Sequence, residues 1–355
     1  MAVPAVYDRI LASNSGVFIG STFSEPTLRW QWKPETTRLM VGPLVTANAI
    51  YVGDDSGVVS ALNPTNGEIL WSAKLDDPIA ATPVLVDDLL LVGTEFGALH
   101  ALQIADGSSR WVFWTGGKVA GGPRLWSTEG KRALLVFGSY DSFVYAVHAD
   151  DGTKAWQYET NNYLNGSAAI IGDRAFVGGC DGKLYAFELP TGKLLWASEI
   201  GGYVAGAVAA DVEAVYLGHY QNEVVAVNLE DGAIRWKYKG RNFPYVSSPA
   251  LLADRLILGC RDRNVIALDR NTGELLWATR TGSRVDGSPL VIGDAAFIGS
   301  DDGRIYAFDV ETGDILWEYE AGRPVNSPLH AQGKTLAGIV SDGRLLVFDL
   351  PIAIP

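Results

Sequence analysis

A tryptophan returns along this chain at an almost fixed interval, and that regularity restricts the fold more than any other feature. The segments ALNPTNGEILW, ALQIADGSSRW, AVHADDGTKAW, AFELPTGKLLW, AVNLEDGAIRW, ALDRNTGELLW and AFDVETGDILW are seven copies of Ala-x9-Trp, each with a glycine four residues before the tryptophan. Trp71, Trp111, Trp156, Trp196, Trp236, Trp277 and Trp317 are spaced by 40, 45, 40, 40, 41 and 40 residues, the long interval holding an insertion around STEGKR. A period of this length marks a repeated supersecondary unit. Each copy also carries an apolar run ending in glycine, such as LLLVG, RLILG or AAFIG, often preceded by Ser-Pro or Gly-Pro. Four short strands per copy follow. The runs are apolar at successive positions, so both faces of each sheet are covered. Blades stacked around a ring cover both faces, whereas a two-layer sandwich leaves one face of each sheet to solvent. Asn-Gly, Asp-Gly and Thr-Gly join the third and fourth strands, where glycine supplies positive φ.

The repeat assigns the tryptophan a structural role. A fourth-strand indole lies against the neighbouring blade, with room left by the alanine ten residues earlier (Ala61, Ala101, Ala146, Ala186, Ala226, Ala267 and Ala307). Each buried indole removes about 150–250 Å² from water, roughly 4–6 kcal/mol as an upper bound. After Trp317 only three strands remain, and TLRWQWK places Trp30 41 residues before Trp71 with no blade in front of it. The expected fold is therefore an all-β, eight-bladed propeller with four antiparallel strands per blade, a single domain over 1–355. Residues 1–25 form an extension and 26–32 the closing strand of blade 8. Blades 1 to 7 span 33–71, 72–111, 112–156, 157–196, 197–236, 237–277 and 278–317, and 318–355 supply the inner strands of blade 8. Closure removes the free sheet edges of an open ring.

Composition narrows the function. Hydrophobic residues at 48% and charged residues at 19% suit a globular core, and a net charge of −13 opposes nucleic acid and anionic membrane surfaces. The first twenty residues lack a basic start followed by an apolar run, and no later stretch reaches the length of a membrane span. The expected location is cytoplasmic, with the periplasm as the alternative for a processed chain. Cys180 and Cys260 fall in different blades and are expected to be free thiols.

The A-x-[DN]-x-x-[TD]-G-x-x-x-W pattern resembles the tryptophan-docking repeat of PQQ-type propellers, a family that includes quinoprotein alcohol dehydrogenases and the barrel-assembly lipoprotein BamB. The resemblance covers essentially the whole chain after residue 25. It implies either a BamB-like protein-binding scaffold or a quinoprotein holding pyrroloquinoline quinone (PQQ). The family's dehydrogenases are longer and hold PQQ against a vicinal disulfide; here no two cysteines are adjacent. Trp32, Trp114 and Trp126, outside the repeat column, are the candidates for a cofactor floor. His100, His148, His219 and His330 have no metal-ligand spacing, and no phosphate loop or nucleophile elbow occurs. No metal, no catalytic residue and no cofactor are therefore expected, with a PQQ oxidoreductase as the runner-up.

A candidate site emerges where the innermost strands begin. Five residues before the proline-type column stand Arg38, Pro78, Lys118, Tyr163, Tyr203, Pro244, Arg284 and Arg323, with Asn165, Asp286 and Asn326 slightly deeper. Arg38, Arg284 and Arg323 come from consecutive blades, opposite Tyr163 and Tyr203. Guanidinium forks pair with carboxylates and tyrosines offer flat contact area, so this rim suits a carboxylate-bearing ligand or an acidic peptide. The function expected is that of a non-enzymatic propeller, monomeric within an assembly, that engages a protein or peptide partner. A sensor domain of a larger protein is a further alternative.

Overall fold

In the computed structural model, which describes residues 17–18 and 23–354, the alanine and tryptophan of each repeat face each other across two strands of one blade. Ala61 pairs with Trp71, Ala146 with Trp156, Ala186 with Trp196 and Ala307 with Trp317, and the ladder shifts register just after the alanine. Such a bulge increases strand twist. It turns the indole toward the next blade. There its N–H donates to a backbone carbonyl: Trp71 to Ile104, Trp156 to Leu189, Trp196 to Leu229, Trp236 to Arg270 and Trp277 to Val310, at 2.7–3.2 Å. The indole face lies on the next blade's turn glycine. A Cβ built on Gly152 would sit 2.6 Å from the Trp111 ring, and one on Gly313 would sit 2.6 Å from Trp277. The glycine thus serves two needs, positive φ in its own turn and clearance for the preceding blade.

Blade 1 comprises Leu44–Val45, Ile50–Gly53, Val58–Leu62 and Ile69–Lys74, and blades 2 to 7 repeat that antiparallel order. Among the described residues there is no helix, hence none long and apolar enough to cross a membrane. The core consists of wedges shared by neighbouring blades. One holds Leu290, Phe297 and Ala307 of blade 7 with Leu336, Leu346 and Phe348 of blade 8.

Blade 8 is closed by the strand Thr27–Trp32, which pairs antiparallel with Leu345–Ile354 and sets Trp30 opposite Val347. The Trp30 indole donates to the Pro64 carbonyl of blade 1 at 3.0 Å, as the repeat tryptophans do with their neighbours. Arg29 adds a hydrogen-bonded ion pair with Asp349 at 2.7 Å. The inner part of this blade is irregular: His330–Ile339 runs as one strand through positions that are two strands elsewhere. Because its outer strand comes from the other end of the chain, blade 8 has no third-to-fourth-strand turn and no turn glycine. Trp317 instead meets the edge of Phe348, ring centres 5.9 Å apart. The extension expected over 1–25 is not wholly outside the propeller. Val17–Phe18 pairs in parallel with Val291 and Ile292 on the innermost strand of blade 7, and Phe23 packs on the core between blades 7 and 8. Residues 1–16 and 19–22 of that extension lie outside the described residues.

Around the axis, hydrogen bonds tie innermost strands to their neighbours at four of the seams. Asn165 Nδ2 donates to the Ala205 carbonyl, the Ala207 N–H to Ser248 Oγ, and the Ser248 N–H to Ser288 Oγ, each at 3.0 Å. At the seam between blades 8 and 1 the Val45 N–H donates to His330 Nδ1 at 3.1 Å. Enclosure pushes the His330 imidazole down to about 4, so it is neutral at pH 7. Unfolding restores an ordinary pKa and takes up a proton between these values, so the stabilisation is full above about pH 6.5 and is lost as pH falls toward 4. Between pH 7 and 5 the protein is expected to lose about 2 kcal/mol from this group alone. His330→Asn, which keeps an acceptor for Val45 and does not titrate, should reduce the pH slope in urea denaturation by that amount.

Candidate partner-binding face

The expected rim residues lie on one face, beside the turns that join second and third strands. Backbone hydrogen bonds set the register: Asp55 N–H donates to the Arg38 carbonyl, Tyr140 to Lys118, Cys180 to Tyr163, Tyr220 to Tyr203 and Asp301 to Arg284, at 2.9–3.1 Å. In blade 8 the equivalent donor, Ser341, bonds to Pro324 and not to Arg323. Blade 8 is one residue shorter here, reading Val-Asn-Ser-Pro against Val-Asp-Gly-Ser-Pro in blade 7. Counting back from the proline therefore placed Arg323 one position out of register.

The rim resolves into three groups. Lys118 pairs with Glu95 at 2.7 Å and lies 5.8 Å from the centre of the Tyr140 ring. Tyr140 stacks on Tyr163 at 4.8 Å, and its hydroxyl donates to Asn165 Oδ1 at 2.7 Å. In the second group Arg261 forms a bidentate pair with Asp286 at 2.8–2.9 Å beneath the Tyr220 ring, while Arg284 bonds to Asp301. The third is Arg38 with Asp55, 3.6 Å apart. Tyr203, Arg323 and Asn326 make no side-chain hydrogen bond or ion pair among the described residues.

This arrangement alters the chemistry expected of the rim. Arg38, Lys118 and Arg284 each carry an acidic neighbour, so a ligand carboxylate would have to displace Asp55, Glu95 or Asp301. Those acids come from the turn column Asp55, Glu95, Tyr140, Cys180, Tyr220, Arg261, Asp301 and Ser341, which the innermost-strand alignment did not include. A polycarboxylate such as PQQ does not fit this donor set. Cys180 and Cys260 are buried free thiols raised by burial to about 11 and 12, which leaves neither poised as a nucleophile. Trp126 is buried in the wedge between blades 3 and 4, with its N–H on Asp173 at 3.0 Å. Among the described residues, no group of three potential metal ligands is present.

The feature that does stand out is aromatic. Seven aromatic side chains are exposed among the described residues, and six of them lie on this one face: Phe96, Tyr140, Tyr163, Tyr203, Tyr220 and Phe243. They form an arc over blades 2 to 6. Phe96, 72% exposed, is the extreme case. Its turn position is Asp in five blades (Asp141, Asp181, Asp262, Asp302 and Asp342), where the carboxylate accepts the N–H two residues on. Phe96 forgoes that bond and gains no burial. Exposed aromatic clusters rimmed by charge are characteristic of protein interfaces.

The family model described as outer membrane protein assembly factor BamB matches residues 21–238 and 140–350. BamB of Shewanella oneidensis is 26% identical over 147 residues, 38% of this chain and 34% of its own length. A quinohemoprotein alcohol dehydrogenase of Comamonas testosteroni is 29% identical over 134 residues, 34% of this chain but 18% of its own length. The chain thus spans about a third of the curated BamB relatives it matches. Among solved structures, BamB from Moraxella catarrhalis superposes with a TM-score of 0.75 at 21% identity, covering 92% of this chain and 98% of that one. The cytoplasmic location expected from the first twenty residues is corrected by these relatives, which are named for outer membrane assembly. The absence of a leader pattern was a poor guide to compartment. The eight-bladed architecture and a family match along nearly the whole chain agree, and the chain belongs to the BamB family of PQQ-repeat propellers.

Proposed function

We propose that this propeller is a non-enzymatic, cofactor-free scaffold on the periplasmic side of the outer membrane, and that its aromatic arc docks a protein of the outer membrane assembly machinery. The observation that carries the reading is the gathering of six of the seven exposed aromatics on one face. Tyr and Phe offer large contact area at small entropic cost, and such residues dominate binding energy at interfaces. The ion pairs on blades 7 and 1 would frame the contact and fix its orientation, as rim charges do elsewhere.

The test is capture of assembly components from membranes of the native host by the tagged protein, followed by affinity measurement with the captured partner. Replacing Phe96, Tyr163, Tyr203 and Phe243 together by alanine is expected to weaken binding at least about a hundredfold, with melting unchanged because all four are exposed. The parallel variant Arg38→Gln, Arg284→Gln, Arg323→Gln should alter salt dependence more than affinity. Unaltered affinity of the aromatic variant would overturn the assignment. Loss in the arginine variant alone would return the site to the basic rim.

A further inference from the structure

The innermost strands contain one residue that packing does not call for. Immediately after the proline-type column seven blades place an apolar residue: Leu44, Val84, Ala169, Ala209, Ala250, Leu290 and Leu329. Blade 3 places Arg124 there. Arg124 pairs across the sheet with Val136, and Trp126 pairs with Leu134. Directly opposed residues share a face. Val136, Trp126 and Leu134 belong to the core between blades 3 and 4, so the arginine stands at the inner end of that wedge.

The side chain is part-buried, and among the described residues no hydrogen bond or ion pair to its guanidinium is found. Nε is closed off from solvent and has no hydrogen-bond acceptor, and the group forms no ion pair among the described residues. Asp173, the carboxylate that blade 4 brings to the same wedge, accepts the Trp126 N–H instead. Burial lowers the Arg124 pKa to about 10, which still leaves it charged at neutral pH. A donor shut off from water with no acceptor costs stability even on a part-buried side chain, whereas the other blades show that an apolar residue fills the position.

We infer that Arg124 is the protein's half of an anion site in the inner wall of the propeller, where blades 3 and 4 meet, and that it takes one small oxyanion or carboxylate group. A planar guanidinium presents paired N–H donors that match two oxygens of such a group. Size is limited by the strands themselves. Three residues upstream, a Cβ on Gly121 would lie 2.8 Å from the backbone of Gly166, so blades 3 and 4 are nearly in contact. This site is separate from the aromatic face and does not depend on the partner reading.

The experiment uses the intact chain in a low-salt zwitterionic buffer, with sulfate or acetate added at matched ionic strength, and crystals soaked in selenate. The wild type should show a saturable rise in melting temperature of about 3 °C and an anomalous selenate peak within hydrogen-bond distance of Arg124. A response to sulfate alone would assign an inorganic oxyanion, and one to acetate alone a carboxylate. Arg124→Leu should melt higher than the wild type in the anion-free buffer and lose the saturable response, and Arg124→Lys should retain part of it. No selenate peak at Arg124, together with identical anion responses in the wild type and Arg124→Leu, would overturn the proposal and leave a merely hydrated channel. If Arg124→Leu does not fold, the wild-type soak and titration still decide.

Discussion

A chain lacking residues 1–32 is expected to lose the closed ring and to aggregate or melt far below the intact protein. The strand Thr27–Trp32 is the outer strand of blade 8, so its removal leaves Leu345–Ile354 with an unpaired edge. Exposed edges recruit other chains. The cut also removes the Trp30 and Trp32 rings, which cover the core formed by Val45, Ile50, Ala337 and Val347 at the seam with blade 1. Loss of a packed Trp side chain costs about 3–5 kcal/mol on its own, and here the Arg29–Asp349 ion pair and the Trp30–Pro64 hydrogen bond go with it. A chain beginning at Phe23 is the control: it keeps the closing strand and should remain monodisperse. Unchanged melting and monodispersity without residues 1–32 would show that the strand does not hold the ring shut.

Gly152→Ala is expected to destabilise the protein by about 3 kcal/mol or more, the largest effect of any single methyl group considered. Gly152 has a φ of +70°, a conformation that costs an L-residue roughly 1–2 kcal/mol. The added Cβ would also stand 2.6 Å from the Trp111 ring, which is itself nearly fully buried and cannot retreat. Overpacking of that kind costs about 1–3 kcal/mol more. Gly130 separates the two causes, because it has a φ of +75° with nothing within 4 Å of an added Cβ. Gly130→Ala should therefore show the backbone cost alone in urea denaturation. Equal losses at the two sites would mean that tryptophan docking does not need the glycine.

The features legible in the sequence were those the repeat stated seven times. Ala-x9-Trp with its glycine gave blade number, strand order and the structural role of the tryptophans, since each residue answers the same packing demand in each blade. Trp30 was legible for the same reason, being a docking tryptophan without a blade of its own. Features present once were harder to read. A one-residue shortening in blade 8 displaced Arg323, because counting from a proline cannot detect a deletion between two alignable columns. The pairing of Arg38 with Asp55 and of Arg284 with Asp301 joins residues 17 apart through neighbouring loops, and no periodicity announces it. Phe96 and Arg124 were visible in the sequence only as exceptions within columns. Their significance depends on knowing that one column is a solvent-facing turn and the other an inner wall.

Closure by Thr27–Trp32 also has a consequence in time. Arg29 and Asp349 are 320 residues apart, whereas the outer strand of any other blade follows its neighbour by a few residues. The entropy of bringing chain ends together grows with the logarithm of their separation, roughly 0.6 kcal/mol for each doubling, so this contact is the most expensive in the ring to form early. Blades 1 to 7 are built from local hairpins and can assemble as they emerge. The strand Thr27–Trp32 is made before every blade yet can pair only when blade 8 is complete. Until Leu345–Ile354 has formed, the segment Thr27–Trp32 carries two tryptophans without a strand to pair with, and it is exposed to wrong partners for as long as the blades between take to fold.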